Sequence, residues 1–376
     1  MAALLYVAHP TVHLDHLAAP WIHVRGTLDG MSELGMDADL LRFPSLVERF
    51  RASGGGLLGS LSKGIARARL VSVIVSASSN DHCLYIRHYH DIAPAYPLLR
   101  MLGRPFAVEV NATLAEEAHG LTGAPHWLSA LAGGLETTAL KMAPRVVAVS
   151  GVLRNRLVQR GLSAERVGVA HNGHDPVPAA ADPCAVGAPA GGVLFVGNFK
   201  PWHRAGLLLE AYARLDASIA PPLVLVGSGD TSDLERQSEG LGIASRTEFP
   251  GRKERSEVAK LVARASILVL PSTEDYGSPV KVFEYLGAGR PTVLPDLPNI
   301  REVVTPGEHA MLFPPGDADR LAATLELLLR DRDRAERIGA EGRRLASSQF
   351  TWRSNAEHIL DILRADPSVL REVPGD

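Results

Sequence analysis

Two runs of short apolar segments alternating with helix-length stretches, parted by an Ala-, Pro- and Gly-rich break at Val177–Gly192 (VPAAADPCAVGAPAGG), restrict this chain more than any other feature. Strands that alternate with helices join in parallel through right-handed crossovers, which yields a sheet wrapped by helices. A rhythm that stops at a low-complexity break and restarts after it predicts two such domains and a linker. A length of 376 residues suits that number. Before the break, strands are expected at Leu4–Val7, Val71–Val75, Phe106–Val110, Val146–Val149 and Val167–Ala170. After it, the expected order is strand Val193–Val196, helix Gly206–Leu215, strand Leu223–Val226, helix Ser232–Leu241, strand Thr247–Phe249, helix Glu254–Ala263 and strands Ile267–Leu270 and Thr292–Leu294. The expected organisation is an α/β chain of two facing, doubly wound domains over residues 1–178 and 190–351. A C-terminal helix and tail over 352–376 carry an apolar stripe at Trp352, Ala356, Ile359, Leu360 and Leu363, suited to packing back across the linker.

Composition removes several classes. With 46% hydrophobic and 22% charged residues the chain reads as globular, and a formal charge of −3 argues against non-specific nucleic-acid binding. Cys83 and Cys184 are too few and too distant for a disulfide framework. The N-terminus has no basic region before its first apolar run, and no run approaches the ~18–20 residues of a membrane span, so a cytoplasmic location is expected. His82, His88 and His90 near Cys83 lack a second ligand pair, and no metal site is read there. One stretch is basic: Arg42, Arg49, Arg51, Lys63, Arg67 and Arg69 against a single Glu48. Solvated helix faces around a glycine loop at 54–56 explain it simply; a peripheral contact with an anionic membrane surface is the sharper alternative.

The segment Glu274–Pro291 (EDYGSPVKVFEYLGAGRP) carries the most chemistry. A buried-strand pattern leads through a Gly-Ser-Pro turn at Ser278 and Pro279 into a helix that ends at Gly287 and Gly289. Lys281 and Glu284, three apart, share one face of it. Uncapped N–H groups, the positive end of the helix dipole and a lysine in the first turn suit an anion such as a diphosphate. A carboxylate accepts hydrogen bonds only, so Glu274 and Glu284 beside it suit the hydroxyls of a sugar or ribose.

These motifs, in their order, resemble the donor-binding domain of the family 4 glycosyltransferases. Those are retaining enzymes with the Rossmann-like two-domain GT-B fold. Val193–Ala211 (VLFVGNFKPWHRAGLLLEA), Leu223–Gly229 (LVLVGSG), Phe249–Arg252 (FPGR), the SPxKxxEY form at Ser278–Tyr285 and Arg301–Asp317 (REVVTPGEHAMLFPPGD) carry the likeness. In the first half, Phe106–Glu117 (FAVEVNATLAEE) is similar to an EVNG-bearing subgroup, and Pro144–Ser150 with His171–Gly173 is similar to its strand-serine and NG loop. Little of the first 80 residues matches, and HPTVHLDHLAAP, with His9, His13, Asp15 and His16, stands where the family usually has a glycine pair.

The resemblance implies a transfer of sugar from a nucleoside-diphosphate sugar, UDP- or GDP-linked, to a small-molecule, lipid or glycan acceptor, with no cofactor and no metal. Catalytic roles fall to Glu274 (sugar hydroxyls), Lys281 (diphosphate) and Asn111, at a position that is often histidine. Donor binding falls to Glu284 (ribose), Lys281, Ser278, Pro279, Val280, Gly197, Lys200, His203, Arg204 and, near the base, Arg252. The chain departs from the family at Asn198 and His203, where arginine and lysine are usual, and at Arg204, where glycine is usual. Glu274 stands ten positions before Glu284, whereas the commoner spacing would put a glutamate at Tyr276. These departures leave open a catalytically silent binding subunit, or an epimerase or nitrogen-coupling enzyme on the same fold. The reading fits bacterial natural-product or cell-surface glycan biosynthesis and leaves the oligomeric state unspecified.

Overall fold

In a computed structural model of the protein, the described residues are 3–10, 12, 19–43, 57–114, 126–175 and 191–370. They form two units: the described residues up to His171, 276–278 and from Trp352 onward make the first, and those from Asn172 to Asp275 and Pro279 to Thr351 the second.

The first unit runs β1 (Ala3–Val7), α1 (Ala19–Glu33), β2 (Asp37–Leu41), α2 (Leu57–Ala77), β3 (His82–Arg87), α3 (Ala95–Met101), β4 (Phe106–Val110), α4 (His126–Leu140), β5 (Arg145–Ala148), α5 (Gly151–Gln159) and β6 (Val167–Val169). Its six strands are parallel in the order β2-β1-β3-β4-β5-β6. Side chains alternate across the sheet, as the pleat demands. Leu84, Ile86, Phe106, Val108, Val146 and Ala148 face a helix layer through Leu70, Ile74, Tyr96, Leu99, Leu140 and Leu153. Their neighbours Tyr6, Cys83, Tyr85, Ala107 and Val147 face the opposite layer.

The second unit runs β7 (Val193–Val196), α6 (Ala205–Ala213), β8 (Leu223–Val226), α7 (Ser232–Gly240), β9 (Thr247–Gly251), α8 (Arg255–Arg264), β10 (Ile267–Val269), α9 (Val280–Gly287), β11 (Thr292–Pro295), α10 (Pro298–Arg301), β12 (Met311–Phe313), α11 (Ala318–Arg330) and α12 (Arg332–Gln349). This sheet is also six-stranded and parallel, in the order β12-β11-β10-β7-β8-β9. The chain winds outward from β7 through β8 and β9, then returns to build the other half from β10. That places the switch point between β7 and β10, where doubly wound sheets bind ligands beyond their carboxyl ends.

The last helix, α13 (Trp352–Arg364), belongs to the first unit. It packs on α1, where Thr27 Oγ1 donates to Asn355 Oδ1 at 3.2 Å. A Cβ on Gly26 would lie 2.1 Å from the Trp352 ring, so the missing side chain admits the indole.

One expectation needs correction. Val71–Val75 is not a strand but part of the 21-residue helix α2. Leu70 and Ile74, four apart, are buried while Val73 is exposed, and that helical alternation overrides the β-branched run. The strands of this region are instead β2 and β3. The break at 177–192 and the basic residues Arg49 and Arg51 lie wholly or largely outside the described residues, as do His13, Asp15 and His16.

Candidate functional site

The switch point of the second sheet brings together the loop after β7 and the turn leading to α9. Pro279 is the N-cap of α9, and no side chain caps this eight-residue helix. Its first turn thus presents backbone dipoles outward. Lys281 lies in that turn, and its stem rests on the chain at Gly197: a Cβ there would sit 2.6 Å from Lys281 Cε. Gly227, at the end of β8, approaches the Gly197 carbonyl so closely that a Cβ would meet it at 1.5 Å. Tyr285, buried on the same helix, accepts a hydrogen bond from the Val196 amide at 2.8 Å. The strand tip, two glycines and the helix are therefore fixed as one piece.

His203 completes this arrangement. It is buried in the short turn Pro201–His203, with Nδ1 3.2 Å from the Ser272 carbonyl and Nε2 3.4 Å from Lys281 Nζ. Burial, reinforced by the Lys281 charge, lowers its pKa to about 4. The ring is neutral near pH 7, donates from Nδ1 to Ser272 and turns the Nε2 lone pair toward the ammonium. Burial also lowers the Lys281 pKa, an effect that Glu284 opposes. An arriving phosphate would relieve that cost by supplying counter-charge.

Arg204, in place of the usual glycine, keeps the glycine's backbone: φ is 46° and ψ 47°, the only left-handed non-glycine geometry among the described residues. Its guanidinium runs toward Gly316, where a Cβ would lie 2.8 Å from Nη1. Lys200 is exposed on the same loop, whereas Asn198 Oδ1 is buried without a hydrogen-bond partner. A buried acceptor left unmet is a costly feature.

Glu284 sits one turn beyond Lys281 with 34% of its side chain exposed, and its Oε1 lies 3.7 Å from Arg255 Nη2. Burial raises its pKa, while Arg255 and Lys281 pull it down and Asp175 pushes it up. Arg255 also pairs with Asp175. Sequence reasoning missed Arg255 and Asp175, which lie outside every motif; only the fold brings α8 and the chain after β6 to this carboxylate. Glu274 is exposed in the loop after β10, and its backbone carbonyl accepts from Asn299 Nδ2 at 2.9 Å. Val280 and Ser278 are buried at the helix entry. Arg252 is exposed just past β9, following Gly251.

The first unit has its own polar centre, at the end of β4. Glu109 is fully buried, with Tyr6 Oη at 3.0 Å, Arg87 Nη1 at 3.0 Å, His23 Nε2 at 2.8 Å and Asn111 Nδ2 at 2.6 Å. Desolvation alone would raise its pKa, yet His23, Arg87 and Asn111 together bring it down to about 2. Asn111 is thus oriented by Glu109. The histidines near Cys83 go to different partners: His82 to Ser79 and the Ala77 carbonyl, His88 to Tyr96 and Glu136, His90 to Asp91. Asp91 also meets His9 and Arg67, and against its own desolvation His9, His90 and Arg67 hold its carboxyl far below the usual range. Among the described residues no three metal-ligating side chains cluster.

Comparison with known proteins bears on the second unit and on the fold. Residues 190–331 match the family model "Glycosyl transferases group 1". A phosphatidyl-myo-inositol mannosyltransferase of Mycolicibacterium smegmatis is 29% identical over 73% of this chain and 69% of its own length. One from Mycobacterium leprae is 30% identical over 45% of each chain, so the match spans less than half of that relative. Among solved structures, Anabaena Alr3699/HepE in complex with UDP superposes with a TM-score of 0.72 at 17% identity, covering 97% of this chain and 100% of the other. Sucrose-phosphate synthase from Thermosynechococcus elongatus gives 0.73 at 17% identity, covering 97% and 98%. Residues 190–331 thus match a glycosyl transferase group 1 domain, within a chain that has the two-sheet GT-B fold.

Proposed function

We propose that the chain is a retaining glycosyltransferase that moves a sugar from a nucleoside-diphosphate sugar to an acceptor hydroxyl, with the donor seated at the switch point of the second unit. The observation that carries this is Lys281, placed in the uncapped first turn of α9 against Gly197 and beside a neutral His203. A diphosphate there would meet helix N–H groups and a desolvated ammonium, while Glu284 takes the ribose hydroxyls and Arg252 lies toward the base. We assign Glu274 to the hydroxyls of the donor sugar and Asn111, oriented by Glu109, to the reacting sugar.

In the transfer, the bond from the anomeric carbon to the phosphate oxygen breaks and the diphosphate keeps the electron pair. Lys281 and the α9 amides offset the growing negative charge without a metal ion. The acceptor oxygen bonds to the anomeric carbon on the face that the diphosphate leaves, and its proton passes to a departing phosphate oxygen. Configuration is retained without an enzyme nucleophile. The complexes of Anabaena HepE with UDP-glucose and the lipid-linked substrates in the relatives' names support a nucleotide-sugar donor and a lipid or glycan acceptor in a bacterial surface pathway. Calorimetric titration with UDP and GDP, paired with mass spectrometry of nucleotide released from a donor panel, tests the reading. Binding with donor turnover is expected. Absence of binding at millimolar nucleotide would overturn it in favour of a silent binding subunit.

A further inference from the structure

Three charged side chains of the second unit meet at the flank of α9, and they are unevenly spaced. Arg255, the first residue of α8, donates from Nη2 to Asp175 Oδ2, while the same Nη2 stands 3.7 Å from Glu284 Oε1. The first contact is a hydrogen bond and the second is too long to be one. Among the described residues, no hydrogen-bond donor reaches the Glu284 carboxylate. A guanidinium beside a carboxylate ordinarily closes on it fork to fork. Here Asp175 takes the guanidinium, and Glu284 keeps its lone pairs for a ligand.

The fold fixes both ends of this pair. Glu257 Oε2 accepts from the Glu254 amide at 3.3 Å, which caps the turn of α8 that carries Arg255. His174, just before Asp175, is buried, and its amide donates to the Phe350 carbonyl at 2.9 Å. Its ring sits on α9, where a Cβ on Gly287 would lie 2.5 Å from Nδ1. Asp175 is exposed and Arg255 half-buried, and an ion pair so placed contributes little to stability. Its consequence lies in the neighbouring carboxylate. Burial raises the pKa of Glu284 and Arg255 pulls it down. An ionised carboxylate accepts from two hydroxyls at once, whereas a protonated one gives up part of that capacity to become a donor.

We propose that Asp175 and Arg255 are a positioning pair that holds the Glu284 carboxylate open for the vicinal hydroxyls of a ribose, and so sets a preference for ribonucleotides over 2′-deoxyribonucleotides. Arg255 supplies charge without occupying the carboxylate, and Asp175 keeps the guanidinium from closing on it. This role presupposes the ribose contact of Glu284 proposed above.

Calorimetric titration of the full chain with UDP and 2′-deoxy-UDP, and with GDP and 2′-deoxy-GDP, tests it. The parent is expected to bind the ribose form at least ~10-fold more tightly, as one hydrogen bond to a charged group implies. Arg255→Gln should lose most of that preference at about pH 7 and regain it toward about pH 8, because its Glu284 carboxyl ionises later. Asp175→Asn should lose it at either pH, since the freed guanidinium closes on an ionised carboxylate. Arg255→Lys, which keeps the charge, should retain it. In the first two variants, affinity for the 2′-deoxy forms should fall less than affinity for the ribose forms. No binding of either ribonucleotide by the parent would overturn the donor reading, and this role with it. Parent binding without a ribose preference, or a preference that survives in Arg255→Gln or in Asp175→Asn, would overturn the positioning role alone.

Discussion

Lys281 Nζ lies 3.4 Å from His203 Nε2, and the other nitrogen of that imidazole is 3.2 Å from the Ser272 carbonyl. The lysine therefore faces a neutral acceptor and not a carboxylate. A carboxylate would hold the ammonium and compete with an incoming phosphate, whereas an imidazole lone pair orients it and leaves its charge available.

Removing that charge should be felt in the reaction more than in the fold. Lys281→Ala is expected to cut sugar transfer by roughly 10²–10³, as loss of one preorganised charge contact does, with a melting temperature close to that of the parent. Initial-rate kinetics on donor hydrolysis measure it; near-normal turnover would remove Lys281 from the diphosphate site.

His203 and His171 both have pKa values lowered to about 4, chiefly by burial. Between their ordinary value near 6.5 and about 4, the unfolded chain binds protons that the folded one refuses. Stability from this source is complete above that window and declines as pH falls through it. In His203→Gln the decline should lose the contribution of one proton, seen as a shallower slope in urea midpoints measured across the window.

Arg204 holds a left-handed backbone, with φ at 46°, which costs a residue with a Cβ about 1–2 kcal/mol. Arg204→Gly is therefore expected to gain up to about 1 kcal/mol, or roughly 2–4 °C in a calorimetric melt. An unchanged or lower Tm would mean that the reach of the guanidinium to Gly316 outweighs the strain. Donor KM measured on the same variant reports whether the arginine also serves the phosphate.

Glu109 is a buried carboxylate on which His23, Arg87, Tyr6 and Asn111 converge. Glu109→Gln should destabilise the first unit by about 3–5 kcal/mol, because it strands the buried Arg87 guanidinium. Amide hydrogen exchange in β4 reads the loss locally. The native carboxyl titrates at about 2 against an ordinary 4.5, so its stabilisation is complete above 4.5 and is lost as pH falls toward 2. The variant should lack that part of the acid transition.

Much of the second unit was legible in advance. Val193–Val196 and Leu223–Val226 are uninterrupted apolar runs, as strands buried on both faces must be, and the structure has both as read. The first unit was harder. The strand β2, DADLL, is an edge whose residues are all exposed or half-buried, so its pattern is faint. In β3 the apolar run is flanked by His82 and by Arg87, whose charge is tolerated because Glu109 neutralises it. The run at Val71–Val75 has strand chemistry inside a helix, since what decides it is the burial of Leu70 and Ile74 against the sheet.

The sequence by itself determined two α/β units, the helix that holds Lys281 and Glu284, and the glycines that allow it to sit against a strand tip. These follow from local patterns: burial period, helix spacing and the absence of a Cβ. Tertiary structure alone decided that α13 belongs to the first unit, that Arg255 and Asp175 face Glu284, and that a histidine accompanies Lys281. Lys281 and His203 are 78 positions apart and Arg255 and Asp175 80, and no local pattern encodes a partner at that distance. Only the strand order, which sets β10 beside β7, brings them within reach.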